Sequence, residues 1–194
     1  RINNPPLSGA YILLDIDNVL FAPKGRSLRA YTNAIPNDLF SDIVLKAEYS
    51  LPSSAFGSSS DAVVALNLLY DGRLVFVTAE LVVGVIKRDF TDLVVLSLGH
   101  DEEVSNQAAV DENGGIYIVT SKSMLRVQWV SGTKDLSLKW SSSYKQGPDV
   151  QVGGRLGAGS GTTPTLMGTG DQDRFVVIAD GEPLMNLVLF WRDD

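Results

Sequence analysis

The chain has 194 residues, a hydrophobic fraction of 44% and a formal net charge of −7, with one histidine and no cysteine. This length and composition suit one folded domain with a sizeable core. They exclude disulfides, thiolate metal sites, cysteine nucleophiles and any chemistry that needs two imidazoles. The negative charge argues against nucleic acid or an anionic membrane surface as a partner, because phosphate groups are bound by positive fields.

The chain contains no apolar run long enough to predict a membrane span. The densest apolar stretch, residues 81–86, has the length of a strand and is closed by charged residues. The absence of cysteine suits a cytoplasmic or a periplasmic protein equally. Because the sequence begins with Arg1 rather than methionine, we expect a partial chain, either processed or excised.

Four segments share one layout, in which a polar turn is followed by two short apolar strands. The first strands after the turn are predicted at 19–22, 74–77, 116–119 and 175–178, and their partners at 28–31, 83–87, 125–129 and 187–191. Two stretches, 36–60 and 146–161, look like loop insertions. Without them the repeat is near the roughly 40–50 residues of a four-stranded propeller blade.

Residue types within these segments favour strands. Asp71-Gly72 and Asn113-Gly114 provide the positive φ that tight hairpin turns require. Residues 125–129 alternate apolar and polar side chains, which predicts one wet face. Residues 74–77 are apolar on both faces, as expected of a sheet packed between two others.

Each repeat also has a predicted innermost and outermost strand. Innermost strands are expected at 62–66, 108–111 and 164–167, and outermost strands at 43–49, 93–98 and 136–140, with none in the fourth repeat. The sequence therefore predicts an all-β fold, a β-propeller of four-stranded antiparallel blades. About four blades are present, near 8–57, 58–104, 105–161 and 162–194, within a larger propeller of six to eight blades. The alternative is a β-sandwich of a dozen strands.

Several segments resemble known propeller families. Residues 163–166, 175–181 and 132–140 resemble blades of quinoprotein-like (PQQ-repeat) propellers, and residues 108–117 are similar to blades of lactonase- and NHL-type propellers. The resemblance implies a propeller fold, PQQ or Ca²⁺ as possible cofactors, and a periplasmic or secreted location. The vicinal cysteine pair that stacks on the cofactor in quinone-dependent alcohol dehydrogenases is missing here.

Polar residues that precede the innermost strands are the candidate ligand contacts. They are Ser60, Asp61, Asn106, Gln107, Thr162 and Thr163, together with Arg155 in the glycine-rich loop 153–161. Asp61, Asn106 and Gln107 could offer oxygen ligands to a calcium-type ion on the axis. The alternative is that these side chains cap strand ends and bind their own backbone. The glycine-rich loop lacks the lysine and the following helix of a phosphate-binding loop.

The leading functional hypothesis is a non-catalytic propeller that binds a small molecule or a protein through these axis-facing loops. Further blades of the same polypeptide are also possible partners. The alternative is a propeller enzyme that uses the same face, either a metal-assisted lactonase or esterase or a quinone-dependent oxidoreductase. His100 lies beside an acidic run, which is typical of a solvated turn, and no catalytic residue is assigned.

Overall fold

The structure, a computed structural model, describes residues 11–38, 40–99, 101–148, 159–170 and 172–193. Sheet 1 consists of β1 (Leu13–Leu14), β2 (Leu20–Lys24), β3 (Ser27–Asn33) and β4 (Ile43–Ser50). Sheet 2 consists of β5 (Val63–Leu68), β6 (Leu74–Thr78), β7 (Val82–Ile86) and β8 (Val94–Ser97). Sheet 3 consists of β9 (Ala109–Val110), β10 (Gly115–Val119), β11 (Ser123–Val130) and β12 (Asp135–Ser143). Sheet 4 consists of β13 (Thr165–Thr169), β14 (Gln172–Ala179) and β15 (Leu187–Trp191).

Every sheet is an antiparallel meander in chain order. A one-turn 3-10 helix, Ser53–Ala55, lies between sheets 1 and 2. The stretch 36–60 contains the outermost strand predicted at 43–49, and this strand is β4. Alternating apolar residues there pair with β3, which keeps the segment in the sheet.

Apolar side chains fill the three seams between consecutive sheets. Phe21 and Phe76 pack between sheets 1 and 2, Ile116 packs against sheet 2, and Tyr117 and Ile178 pack between sheets 3 and 4. The first strands converge, since β1 and β5 are neighbours, as are β5 and β9. The predicted all-β propeller architecture is therefore confirmed: the four sheets follow one another face to face as the blades of a partial propeller.

The two ends of the sheets define two surfaces. The linker face holds the connections between sheets (51–62, 101–108 and 159–164) and the turns between second and third strands. The turn face holds the turns between first and second strands (15–19, 69–73 and 111–114) and between third and fourth strands (34–38, 40–42, 87–93 and 131–134). Each sheet lies inside one of the four predicted blade ranges, although their exact boundaries and the total number of blades stay predictions.

Candidate functional site

The candidate residues predicted from the sequence lie on the linker face. Ser60, Asp61, Asn106, Gln107, Thr162 and Thr163 all precede the first strand of a sheet. Arg155 and the rest of the loop up to residue 158 lie outside the described residues, as does His100. The structure therefore places six of the seven predicted residues.

Asp61 links two chain segments through its carboxylate. Its side chain accepts hydrogen bonds from three backbone amides, those of Gly57 (2.9 Å), Ala62 (2.8 Å) and Glu80 (3.0 Å). The residue is only 2% exposed, and its neighbour Ser60 bonds to Ser58. Such bonds satisfy amides that would otherwise be buried without a partner.

The other polar residues also satisfy nearby backbone groups. Asn106 is buried and donates to the carbonyl of Ser160 (2.9 Å), and Gln107 donates to the carbonyl of Leu66 (2.6 Å). The hydroxyl of Thr162 accepts from the amide of Ala179 (2.9 Å). Thr163 is half-buried.

These contacts bring Asn106 next to the Ser160–Thr162 segment, since the hydroxyls of Ser160 and Thr162 lie 3.1 Å apart. The hydrogen bonds of Asp61 do not suit the calcium site considered for this residue, because both of its carboxylate oxygens already accept backbone amides. Across the described part of the chain, no three acidic or histidine side chains are grouped to hold a metal ion. The role of these residues in ligand binding stays a prediction.

The turn face also carries a concave surface. A cleft of about 860 Å³ opens between sheets 1 and 2. Val19, Phe21 and Ala30 form its apolar floor, and Lys46 and Asp89 are among the charged residues around it. This combination of an apolar base with a few convergent polar groups is typical of binding sites.

The wall of this cleft is built by the turn at 15–19. The Asp15 carboxylate accepts the amides of Asp17 (3.0 Å) and Val19 (2.9 Å), while Asn18 supplies the positive φ of 58°. Arg88 then bridges Asp15 (2.9 Å) and Asp17 (3.0 Å) from sheet 2. These hydrogen bonds, first from Asp15 and then from Asp17, raise the pKa of the Arg88 guanidinium. The turn at 15–19 is thus tied to the next blade through Arg88.

A second cleft, of about 290 Å³, lies beside the first between sheets 2 and 3. Asp71 and Ser131 line both, so the two clefts adjoin, and together we call them the turn-face groove. The indole of Trp129 donates to Asp71 across the seam (2.7 Å), and Tyr70 beside it is 70% exposed. An exposed aromatic next to a buried one gives this part of the groove a firm apolar wall.

Charge pairs hold the outer part of the groove in place. Asp92, on the turn after β7, contacts Arg73 (2.9 Å), Lys87 (3.7 Å) and Lys134 (2.6 Å). Hydrogen bonds from Lys134 and Arg73 hold the pKa of the Asp92 carboxyl well below its ordinary value. Because Lys134 comes from sheet 3, the network links two blades at the rim.

Sequence reasoning did not identify the turn-face groove. The sequence predicts Asp71 only as a turn residue, and it predicts no role for Lys46, Tyr70 or Asp89. The recurring acidic turn before the second strand was the available signal, since Asp17, Asp71 and Glu112 occupy it in three repeats. The sequence does not show that a donor from the following sheet binds each of these acidic residues.

The comparisons with known proteins support the fold. No protein-family model matches the chain. An uncharacterized protein from Archaeoglobus fulgidus is 42% identical over 192 residues, which are 97% of this chain and 35% of that protein. The chain therefore spans about a third of the length of this relative.

Two solved structures have similar folds. Virginiamycin B lyase from Staphylococcus aureus has a TM-score of 0.53 at 14% identity, covering 96% of this chain and 56% of that one. The RRP9 WD40 repeats have a TM-score of 0.56 at 13% identity, covering 98% and 53%. At such identities the likeness shows the fold alone. The chain is thus similar to WD40 and related propellers, and the narrower quinoprotein type stays a prediction.

No helix among the described residues is long and apolar enough to span a membrane.

Proposed function

We propose that this chain forms part of a binding propeller whose turn-face groove holds an extended segment of a protein partner. The observation that carries the proposal is the extent of the groove: the cleft of about 860 Å³ between sheets 1 and 2 adjoins the cleft between sheets 2 and 3 at Asp71 and Ser131. The groove therefore crosses three blades, which suits an extended ligand better than a compact one.

The chemistry of the groove also favours a peptide segment. Phe21 and Val19 offer an apolar floor, and Lys46, Lys87 and Asp89 place both signs of charge around it. Tyr70 is exposed beside Trp129, and aromatic residues are enriched in the central contacts of protein interfaces. Charges of both signs select a partner by complementarity more than they add affinity.

The polar residues of the linker face are not part of the proposed binding surface. The polar side chains of Asp61, Asn106 and Gln107 serve backbone groups, so a ligand there would have to compete with existing hydrogen bonds. Their role, and that of Ser60, Arg155, Thr162 and Thr163, stays a prediction. The net charge of −7 supports a protein rather than a nucleic acid as the partner.

Selection of a displayed library of random peptides against the purified chain tests the proposal. Enriched peptides should bind Lys46→Glu and Tyr70→Ala variants at least about tenfold more weakly, as expected when a central interface contact is lost. Lys122→Glu is a matched charge reversal on the linker face, and Phe40→Ala is a matched loss of an exposed aromatic outside the groove. Both controls should bind as the unmodified chain does.

Three results would contradict the proposal. One is failure to enrich any peptide. Another is that the Lys46→Glu and Tyr70→Ala variants bind the enriched peptides as tightly as the unmodified chain does. A rise in melting temperature with Ca²⁺ or PQQ, in the absence of peptide binding, would favour the enzyme alternative, since a ligand stabilises the native state that binds it.

A further inference from the structure

The outward side of sheet 4 is an uncovered apolar face. Leu187, Leu189 and Trp191 alternate along β15 and are 76%, 48% and 54% exposed. The intervening Val188 and Phe190 point the other way and pack against sheet 3. Since side chains alternate between the two faces of a strand, the strand is apolar on both faces but covered on one.

The corresponding face of sheet 3 is covered by sheet 4. Tyr117, Val119 and Met124 lie on the side of sheet 3 that faces sheet 4, and each is at most 1% exposed. The outward face of sheet 4 therefore has the composition of a blade that has a following neighbour. A contiguous exposed apolar face of this kind marks an interaction surface.

Polar contacts between blades follow a regular direction. Arg88 of sheet 2 binds Asp17 of sheet 1, and Trp129 of sheet 3 binds Asp71 of sheet 2. In the same direction, Arg174 of sheet 4 lies 3.8 Å from Glu112 of sheet 3. Sheets 1, 2 and 3 thus each offer an acidic residue near their first turn to a donor on the next sheet.

Sheet 4 has an acidic residue at the corresponding place. Asp173 follows the turn between β13 and β14, has a φ of 52° and is exposed. Among the described residues no cation lies within ion-pair distance of it. The surface is therefore apolar, and the carboxylate at its turn-face end has no cationic partner within the described part of the chain.

We infer that a further antiparallel sheet of the same polypeptide packs on this face as the next blade and brings a cationic or indole donor to Asp173. The length of the relative supports this occupant, because the chain matches only 35% of that protein. The similar propellers agree, since the chain covers 56% and 53% of them. A second copy of the chain is the competing occupant.

Cysteine labelling can test the apolar part, because the chain has no cysteine of its own. A single Leu189→Cys change is made in the natural polypeptide that contains these residues, with any cysteine outside them replaced by serine. Maleimide should react with it at least about tenfold more slowly than with Tyr70→Cys, since labelling then requires local opening. Val127→Cys, at a position that is 0% exposed, sets the slow limit.

The same labelling identifies the occupant. Equal rates at residues 189 and 70 would overturn the inference. Protection that disappears on dilution would also overturn it, because the covering surface would then belong to a second copy. Protection that is independent of concentration supports it.

A charge reversal tests the polar part. In the natural polypeptide, Asp173→Lys should lower the melting temperature. The shift should be smaller than the about 2–4 °C that roughly 1 kcal/mol produces in a domain of 150–250 residues, because a propeller with further blades is larger. Asp42→Lys, an equal charge change on an exposed residue of the turn face, is the control and should leave the melting temperature unchanged. Equal effects of the two variants would contradict a donor at Asp173.

Discussion

Sheets 2 and 4 have similar strand composition but different surroundings. In sheet 2, all residues of β6 and β7 are buried. In sheet 4, β15 alternates between half-buried and exposed residues, although its sequence, Leu187–Trp191, is apolar throughout. An apolar sequence on both faces of a strand therefore predicts that its sheet packs between two others. Whether both faces are buried in a given chain depends on whether the neighbouring sheet is present in it.

This contrast also separates two kinds of residue in the repeat. Side chains at the seams of sheet 2 contribute to stability through contacts on both sides. Those on the outward face of sheet 4 contribute little to the isolated chain because water still covers them. The following four predictions test this distinction, starting with the largest effect.

Phe76→Ala should cause the largest loss of stability. Phe76 is 0% exposed and packs in the seam between sheets 1 and 2, so its removal leaves a cavity. We expect the free energy of unfolding to fall by about 3–5 kcal/mol. Urea unfolding followed by circular dichroism measures the change, and a loss below about 1 kcal/mol would contradict tight packing at this seam.

Gly84→Ala should have an intermediate effect. Gly84 pairs with Phe76 across the sheet, and a methyl group at residue 84 would overlap the buried ring. We expect a loss of about 1–3 kcal/mol, the usual cost of overpacking. Gly132→Ala, on an open turn, is the control, and the Phe76→Leu background should reduce the cost at residue 84. Equal losses of unfolding free energy for Gly84→Ala and Gly132→Ala would contradict this prediction.

Asp92→Asn should alter the dependence of stability on pH. The pKa of Asp92 is lowered in the folded state by hydrogen bonds from Lys134 and Arg73. Its stabilisation is therefore fully present above the ordinary carboxyl pKa of about 3.9, and it is lost as the pH falls below that value. Melting temperatures between about pH 5 and pH 2 should fall less steeply in the variant. Parallel curves for the variant and the unmodified chain would rule out this ion network.

Leu187→Thr should have the smallest effect in the 194-residue chain. Leu187 is 76% exposed, and threonine keeps the strand preference of the position. The free energy of unfolding should change by no more than about 0.5 kcal/mol. In a polypeptide that supplies the next blade, the same substitution should lower the free energy of unfolding by more. A large loss already in the 194-residue chain would contradict an uncovered face at Leu187.

Much of the fold could be predicted from local patterns. The outermost strand expected at 43–49 is β4 at Ile43–Ser50, and the strand expected at 125–129 lies within β11 at Ser123–Val130. Alternation of side chains and the requirements of turns act over a few residues, so these elements can be read from the chain itself. The innermost strand predicted at 108–111 is shorter in the structure, where β9 covers only Ala109–Val110.

The site was harder to predict, because it depends on partners that are distant in sequence. By its sequence position Asp61 is a candidate ligand contact, whereas in the structure its carboxylate accepts the amide of Glu80. The turn-face groove, in turn, is held together by Arg88 with Asp15 and by Trp129 with Asp71. Nothing in the local sequence around these residues indicates such pairings.

The amino-acid sequence by itself determined the strands, their turns and their order, because strand formation follows from side-chain alternation within each repeat. Only the tertiary structure decided which polar side chains serve the backbone and which border a groove. That choice depends on how neighbouring sheets pack, since packing brings together donors and acceptors that the chain keeps far apart.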